Sequence, residues 1–346
     1  MNNRKNQYIN RMHAVQAHAV PVQTHAMRFY GLLLLFLLCS LVSRAQVDLG
    51  QVGRYYTEPV FTQYMSGMQL LNPAYVGMWD RVGVQFFTRQ DYAGQGGAPM
   101  MLYFSGYKPV VNKKNGAGIN ISYERVGYEN KLTFTGDYAY EAKIDWRTYL
   151  RLGLKVGFLN YDNYLSRYAT DLGIQMPDEA LSTDINQNFM LKWGVGVIWY
   201  TSDYYLALSI PQIVNNNFRA DVANFSSIAD TRDVYFMGGY FFGKQRQVRF
   251  KPTAKLRVGF GSNATTALDL GLNAMFWDTF WLGGMYRTDG TCAVVAQFMI
   301  INNTTIGYAL ELPLGTDLGA QLQSHEIRIV FEYDFFKREN LRQAFF

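Results

Sequence analysis

The sequence predicts a transmembrane antiparallel β-barrel of about fourteen strands with a short N-terminal segment before the barrel. Residues 150–158 read LRLGLKVGF, so apolar side chains alternate with Arg151, Lys155 and two glycines. Successive side chains of a strand point to opposite faces, which gives this stretch one apolar face and one polar face. The pattern recurs along the chain. After an N-terminal leader, no apolar run reaches the roughly 20 residues that a membrane-spanning helix needs.

Residues 1–45 are predicted to be a leader that ends in a cleaved secretory signal peptide. Arg28 supplies the positive charge, residues 31–42 form a short apolar core, and residues 43–45 read SRA, a small-x-small cleavage site. The leader holds five of the 32 basic residues and none of the 27 acidic ones, so 27 basic residues remain against 27 acidic ones. The pI of 9.0 therefore arises from the leader, and no nucleic-acid partner is expected.

Residues 46–80 form the N-terminal pre-barrel segment. The segment carries many large apolar side chains, among them Phe61, Tyr64 and Met65, and is too apolar to hang free in water. Residues 72–75 read NPAY, a turn signature, because proline fixes φ and asparagine can hydrogen-bond the turn. We expect this segment to fold into or across the barrel mouth, where it helps to close the lumen or presents a docking face. The alternative is a simple lead-in to the first strand.

Residues 81–336 are predicted to form the outer-membrane barrel, and residues 337–346 a C-terminal tail. Alternating polarity predicts fourteen strands, at residues 81–89, 100–107, 116–125, 131–142, 149–161, 189–200, 204–210, 233–242, 248–260, 267–276, 280–287, 292–300, 304–310 and 326–335. With a periplasmic N-terminus, turns after even-numbered strands should be short, and the long loops at residues 162–188, 211–232 and 311–325 should be extracellular.

The wall of such a barrel should carry charged side chains of both signs on its inner face. The residues that alternation directs inward are Glu124, Asp137, Glu141, Lys143, Arg151, Lys155, Lys255, Arg257, Asp269, Glu311, Arg328 and Glu332. About fourteen strands enclose a lumen too wide for wall side chains alone to fill. These charges are therefore suited either to cross-link a plugged interior or to line a watery one, and the pattern does not choose between them.

Aromatic residues near the strand ends are expected to form the girdles at the two membrane interfaces. The residues in question are Tyr103, Tyr107, Tyr123, Tyr161, Trp193, Trp199, Tyr200, Trp277, Trp281 and Tyr333.

The chain offers little catalytic or metal-binding chemistry, and we predict no enzyme, no cofactor and no metal site. His325 is the one histidine after the leader, and it follows Ser324 directly. Neighbouring side chains on a strand face opposite ways, so Ser324 and His325 cannot meet as nucleophile and base. Zinc needs three or four ligands of the His, Cys or carboxylate type, whereas one histidine and Cys292 remain after the leader.

Several short motifs, in the right order, resemble the PorP/SprF family of outer-membrane proteins. Residues 58–65 read EPVFTQYM and residues 71–77 read LNPAYVG, which is similar to the family's opening. Later stretches resemble further family landmarks: RQDY at 89–92, YAY at 138–140, LSIP at 208–211, WLG at 281–283 and SHEI at 324–327. The resemblance covers roughly residues 58–335. Thr57 and Glu58 replace the family's usual Gln-Asp before Pro59.

This resemblance implies a role that alternation cannot show. Similar proteins belong to the type IX secretion system and the gliding apparatus of Bacteroidota, and they sit in the outer membrane. The implied partners are a periplasmic peptidoglycan-binding lipoprotein (PorE-like), the PorK/PorN ring and secreted cargo with a C-terminal sorting domain. The family implies no active-site residues.

Two functions therefore remain as hypotheses. The first is a component of the type IX secretion machinery that binds periplasmic partners and supports export or surface attachment of cargo. The second is a passive or substrate-specific diffusion channel. For the first, the predicted partner-binding residues lie in the N-terminal segment and in one basic periplasmic turn: Phe61, Gln63, Tyr64, Asn72, Pro73, Tyr75, Lys108, Lys113 and Lys114.

Overall fold

The computed structural model describes residues 61–78, 81–110, 114–171, 184–214, 232–243, 247–260, 266–301, 303–314 and 323–333. All of them belong to one compact unit, Gly53–Phe346. The predicted leader, the tail at 337–346 and Lys113 lie outside the described residues. No helix in the described ranges is long and apolar enough to cross a membrane.

The described chain forms one antiparallel sheet that closes on itself. Its strands are β1 Val82–Gln90, β2 Met100–Val110, β3 Asn115–Val126, β4 Glu129–Lys143, β5 Tyr149–Asn163, β6 Ile185–Tyr200, β7 Tyr204–Ile210, β8 Arg232–Tyr240, β9 Phe242–Gly243, β10 Val248–Phe260, β11 Thr266–Phe276, β12 Phe280–Arg287, β13 Thr291–Ile301, β14 Thr304–Pro313 and β15 Ser324–Tyr333. A short helix, α1 Leu165–Asp171, follows β5.

The wall contains fourteen spanning strands, which confirms the predicted number and fold class. Strand β9 has two residues and pairs with β10, as β8 does, so it continues β8 beyond Phe241. Each spanning strand pairs with its neighbour in the chain, and β1 pairs with β15 to close the ring. Closure is required in lipid, because an open edge would leave backbone N–H and C=O groups without partners.

The two ends of the barrel differ in the length of their connections. Residues 144–148, 201–203 and 277–279 are short turns at one end, whereas residues 164–184 and 211–231 are long loops at the other. In outer-membrane barrels the short turns are periplasmic and the long loops extracellular. By this rule we call the end with the short turns the periplasmic end and the other the extracellular end, and strand β1 begins at the periplasmic end.

Strand faces follow the predicted alternation. In β5, Leu152, Leu154 and Val156 are exposed on the outer wall, whereas Arg151 and Lys155 are 1% and 3% exposed. Most of the charges predicted to point inward are buried, while Glu124 and Glu141 are half-buried and Lys143 is exposed at the end of β4.

The aromatic girdle prediction is wrong for part of its set. Trp193, Trp199, Trp277 and Tyr333 are exposed on the outer surface as expected. Four of the other aromatic side chains are buried inside the barrel: Tyr103, Tyr161, Tyr200 and Trp281. Each of the four occupies a strand position whose side chain points to the inner face, because side chains alternate between the two faces along a strand. Nearness to a strand end does not change this alternation.

Candidate functional site

Residues 61–78, which we call the lumen segment, run through the interior of the barrel. Thr62, Gln63, Asn72 and Ala74 have 0–1% of their surface exposed. Apolar side chains of the segment form one core with inward side chains of the wall, including Phe87 of β1. The rings of Phe61 and Phe87 meet edge to face, with centroids 4.8 Å apart. The interior of the barrel is thus a packed core in the described part of the chain.

The lumen segment has local structure that its sequence explains. A 3₁₀ turn at Met68–Leu70 is followed by a second at Pro73–Tyr75. The Asn72 side chain caps the second turn by accepting a hydrogen bond from the Ala74 amide at 2.9 Å, and Pro73 occupies the first position, where no backbone donor is needed. The turn predicted at residues 72–75 is therefore present.

At the periplasmic end, Arg151 of β5 holds the segment through its backbone carbonyls. Its Nε donates to the Ala74 oxygen at 2.9 Å and its Nη2 to the Val76 oxygen at 2.6 Å. Its Nη1 forms a 2.7 Å ion pair with Glu141 of β4. One guanidinium thus donates hydrogen bonds to two carbonyls that have no partner in a sheet or helix. The carboxylate of Glu141 on the neighbouring strand balances its positive charge.

Near the middle of the barrel, further wall cations bind the backbone of the segment. Lys155 Nζ donates to the Leu70 oxygen at 2.9 Å, and Arg328 of β15 donates to the Ser66 oxygen. The Gln69 side chain donates to Asn120 of β3 at 2.9 Å. The charges inside this barrel therefore cross-link wall and segment, which resolves the choice between a plugged and a watery interior that the sequence left open.

Toward the extracellular end, carboxylates bind the backbone amides where the described segment begins. Glu326 of β15 accepts hydrogen bonds from the amides of Thr62 at 2.8 Å and Gln63 at 3.1 Å. Glu311 of β14 accepts from the Thr62 hydroxyl at 2.6 Å. Arg89 of β1 bridges both carboxylates.

This group extends around the wall as a continuous network, which we call the outer ion cluster. Arg287 of β12 binds Glu311 at 2.8 Å and Asp269 of β11 at 2.9 Å. Lys255 of β10 binds Asp269 at 2.7 Å and lies 3.3 Å from the Phe61 oxygen. The members of the outer ion cluster are Arg89, Lys255, Asp269, Arg287, Glu311 and Glu326. Because each charge is buried and has an opposite partner, removal of one leaves another uncompensated in a dry interior.

Glycines of the inner face provide room for the segment. A Cβ on Gly153 would collide with the backbone of Pro73 and Ala74, and one on Gly116 with the backbone at Val76 and Gly77. At Gly196 an added Cβ would strike the Asn72 side chain. These strand glycines therefore mark the places where a second backbone approaches the wall closely.

Two small cavities lie between the described part of the segment and the wall. One of about 30 Å³ lies between Phe61, Leu71 and the inner faces of β2 to β6, and another of about 10 Å³ lies beside Lys255 and Asp269. A water molecule needs roughly 10–15 Å³ of such space, so the larger cavity has room for about two waters and the smaller for about one. The described part of the interior therefore holds no wide aqueous path through these two spaces.

The structure divides the predicted partner-binding residues into two groups. Six of them lie together in the lumen segment, in contact with the wall: Phe61, Gln63, Tyr64, Asn72, Pro73 and Tyr75. Lys108 and Lys114 lie apart from these, exposed at the periplasmic end, where the Lys114 carbonyl accepts a hydrogen bond from the Glu141 amide. Lys113 lies outside the described residues.

Sequence reasoning missed several residues that hold the segment, above all Arg89, Arg287 and Glu326. Alternation along the strand predicts that Glu326 points inward, because it shares a strand face with Arg328 and Glu332, which were predicted to point inward. Arg287 ends its strand, where parity is hardest to assign from sequence.

A protein-family model supports the resemblance over most of the chain. The model described as type IX secretion system membrane protein PorP/SprF matches residues 54–331. The chain belongs to the PorP/SprF family. No curated protein sequence matches this PorP/SprF member.

Solved structures similar to this PorP/SprF member include an outer membrane protein and a FadL homologue. The Acinetobacter baumannii outer membrane protein Omp33 is 9% identical with a TM-score of 0.42, and the match covers 74% of this chain and 100% of Omp33. A Pseudomonas aeruginosa FadL homologue is 10% identical with a TM-score of 0.46, and the match covers 76% and 93% of the two chains. At such low identity and TM-scores these likenesses carry no conclusion about this chain, and its own closed sheet establishes the β-barrel.

Proposed function

We propose that this protein is an outer-membrane component of the type IX secretion machinery that acts by binding partners, with its barrel held closed by the lumen segment. Family membership supports the machinery. The observation that carries the closed barrel is the contact of the lumen segment with strands spread around the wall. It contacts β5 through Arg151 and Lys155, and β15 through Arg328 and Glu326. It also contacts β3 through Asn120 and β10 through Lys255. A diffusion channel, the alternative function, needs an open path that this packing opposes.

The periplasmic end is the proposed site for the machinery's periplasmic components. Lys108 and Lys114 are exposed there, and Lys113 lies between them in the sequence. Positive charge on an exposed turn accelerates association with an acidic partner more than it strengthens the complex. The proposed partners are the PorE-like lipoprotein and the PorK/PorN ring, while cargo with a C-terminal sorting domain is proposed to meet the extracellular loops.

The decisive experiment combines conductance with native purification. Purified intact protein in planar bilayers should show no steady conductance, and affinity purification from native membranes should bring along periplasmic secretion components. A double variant, Lys108→Glu with Lys114→Glu, should lose part of that association in a salt-dependent manner. The matched control reverses two exposed charges on the extracellular side, Arg125→Glu with Arg167→Glu.

Opposite outcomes would favour the channel. A steady open pore in the intact protein, together with purification free of any secretion component, contradicts the proposal. Equal loss of association in the control and the test variant would assign binding to another surface than the basic turn.

A further inference from the structure

The turn that joins β4 to β5, residues 144–148, presents a tryptophan and an arginine in contact with each other. Trp146 has 66% of its surface exposed, and the guanidinium carbon of Arg147 lies 3.9 Å from the centroid of its ring. The negative face of an aromatic ring attracts a cation, so the two exposed side chains hold one another in place. We call Trp146 and Arg147 the tip pair.

Hydrogen bonds within the turn fix the backbone that carries the tip pair. The amides of Ile144 and Asp145 both donate to the Thr148 oxygen, at 3.0 Å and 3.2 Å. The Asp145 carboxylate accepts a hydrogen bond from the Trp146 amide at 2.7 Å. Because the turn is already ordered, a partner that binds the tip pair loses little affinity to the cost of ordering it.

The tip pair lies beyond the part of the wall that faces lipid. The outward side chains of β4 carry no charge from Leu132 to Ala142. A strand tilted by about 40° rises about 2.5 Å per residue along the barrel axis, so this stretch covers about 25 Å, the height of the apolar band in such barrels. The turn carries Trp146 about three residue rises, or about 8 Å, beyond Ala142. The headgroup layer of one leaflet is roughly 5–7 Å thick, so the tip pair reaches the water beyond it.

Two neighbouring hairpins surround the tip pair with positive charge. The β2–β3 and β4–β5 hairpins are joined by a hydrogen bond from the Glu141 amide to the Lys114 oxygen at 2.6 Å. In the described residues 108–110, 114–115 and 143–149, Asp145 is the one acidic residue. The exposed cations of the same residues are Lys108, Lys114, Lys143 and Arg147. A surface of this sign attracts carboxylates.

We propose that the tip pair is a docking site for the acidic surface of a periplasmic protein. Carboxylates of the partner meet the guanidinium of Arg147 and the lysines around it, and an apolar recess of the partner covers the indole of Trp146. Tryptophan and arginine are among the residue types that most often dominate the binding energy of a protein interface. Phospholipid headgroups are the other anionic surface nearby, and the tip pair projects past them. The inference rests on the proposed binding function of the periplasmic end and names the residues that bind there.

Photo-crosslinking in living cells tests the docking site. A photoreactive phenylalanine derivative replaces Trp146 in the full-length chain, and mass spectrometry identifies the protein and the peptide that ultraviolet light joins to it. The matched control places the same derivative at Trp277, a 73% exposed tryptophan in the periplasmic turn between β11 and β12. The identified partner is then recovered by affinity purification with the variants Trp146→Ala, Arg147→Glu and Trp277→Ala. Heat-modifiable migration on gels verifies that each variant forms a barrel.

The expected result is a crosslink from position 146, absent from position 277, to a periplasmic protein through a peptide of net negative charge. Trp146→Ala and Arg147→Glu should each lower the recovery of that protein by about ten-fold or more, and Trp277→Ala should leave it unchanged.

A crosslink from position 146 to lipid alone, or equal crosslinking of the same protein from position 277, would overturn the inference. Unchanged recovery with Trp146→Ala and Arg147→Glu would overturn it as well. If secretion components still co-purify with the intact protein in that case, the proposed function stands and only the docking site fails. A crosslink to an acidic periplasmic protein outside the secretion machinery would instead support the docking site and contradict the proposed function.

Discussion

Glu326 holds the start of the described lumen segment through two backbone amides. Its carboxylate is 0% exposed, accepts two backbone amides of the segment and pairs with Arg89. Hydrogen bonds in which the acceptor is ionised are roughly twice as strong as neutral ones, and a low local dielectric strengthens them further. Its loss therefore affects both the segment and the charge balance of the wall.

Replacement of Glu326 by glutamine should lower the free energy of unfolding by about 3 kcal/mol. The amide keeps one acceptor oxygen but removes the charge opposite Arg89, which retains Glu311 and Asp91 as partners. Urea unfolding of the purified protein in detergent, followed by tryptophan fluorescence, measures the change. Asp203→Asn at an exposed periplasmic turn is the control and should leave unfolding unchanged. Equal stability of the two variants would contradict the assigned role of Glu326.

At the scale of the element, the lumen segment and the inner faces of the strands are matched in shape. Each 3₁₀ turn of the segment has only three residues, so most backbone carbonyls of the segment have no partner within it and need donors from the wall. Lysine and arginine supply the donors, and glycine supplies the space, at Gly153 above all. The same strands present leucine, valine and aromatic side chains to lipid.

Replacement of Gly153 by leucine should displace the lumen segment and raise the permeability of the barrel to small solutes. The new side chain would meet the rigid backbone of Pro73 and Ala74, which has no flexible end to move aside. Liposome swelling with small sugars measures permeability. The matched control is Gly136→Leu on the lipid-facing side of β4, where the nearest atoms to an added Cβ are 3.9 Å away. Swelling that is equally slow with both variants would count against a close fit at Gly153.

At the scale of the whole molecule, the protein is a closed wall around a packed core. A wall of fourteen strands encloses more space than its own side chains fill, so the lumen segment completes the core. The outer surface is apolar and matches lipid, and the interior combines apolar packing with paired charges. The fold thus provides two exposed ends, and binding is proposed to take place there.

Deletion of residues 61–76 should convert the closed barrel into a conducting one. The wall keeps all of its backbone pairing, whereas the interior loses the chain that fills it. Single-channel recording in planar bilayers should show steady conductance for the deletion and none for the intact protein. Heat-modifiable migration on gels serves as the control that the deleted protein still forms a barrel. A folded deletion variant that conducts no more than the intact protein would refute the assignment of the segment as the closing element.

The sequence by itself determined the fold class, the number of strands and the face of most strand residues. These properties depend on a period of two and on turn lengths, both of which are local and readable along the chain. The turn at residues 72–75 was predictable for the same reason, because Asn72 and Pro73 act within the turn itself. Distance from a strand end does not determine which way an aromatic side chain points, so the girdle prediction is wrong for Tyr103, Tyr161, Tyr200 and Trp281, which lie inside the barrel.

Only the tertiary structure decided how far the N-terminal segment enters the lumen and which wall residues hold it there. Arg89, Glu311 and Glu326 come from β1, β14 and β15, and Thr62 lies 264 residues before Glu326 in the chain. Closure of the wall brings these residues together. The alternation within one strand predicts that a charge points inward, but it does not predict which backbone group of another element that charge will bind. The sequence therefore specifies inward-facing charges, whereas the closed barrel specifies their partners, because pairing at such separations depends on the register of all intervening strands.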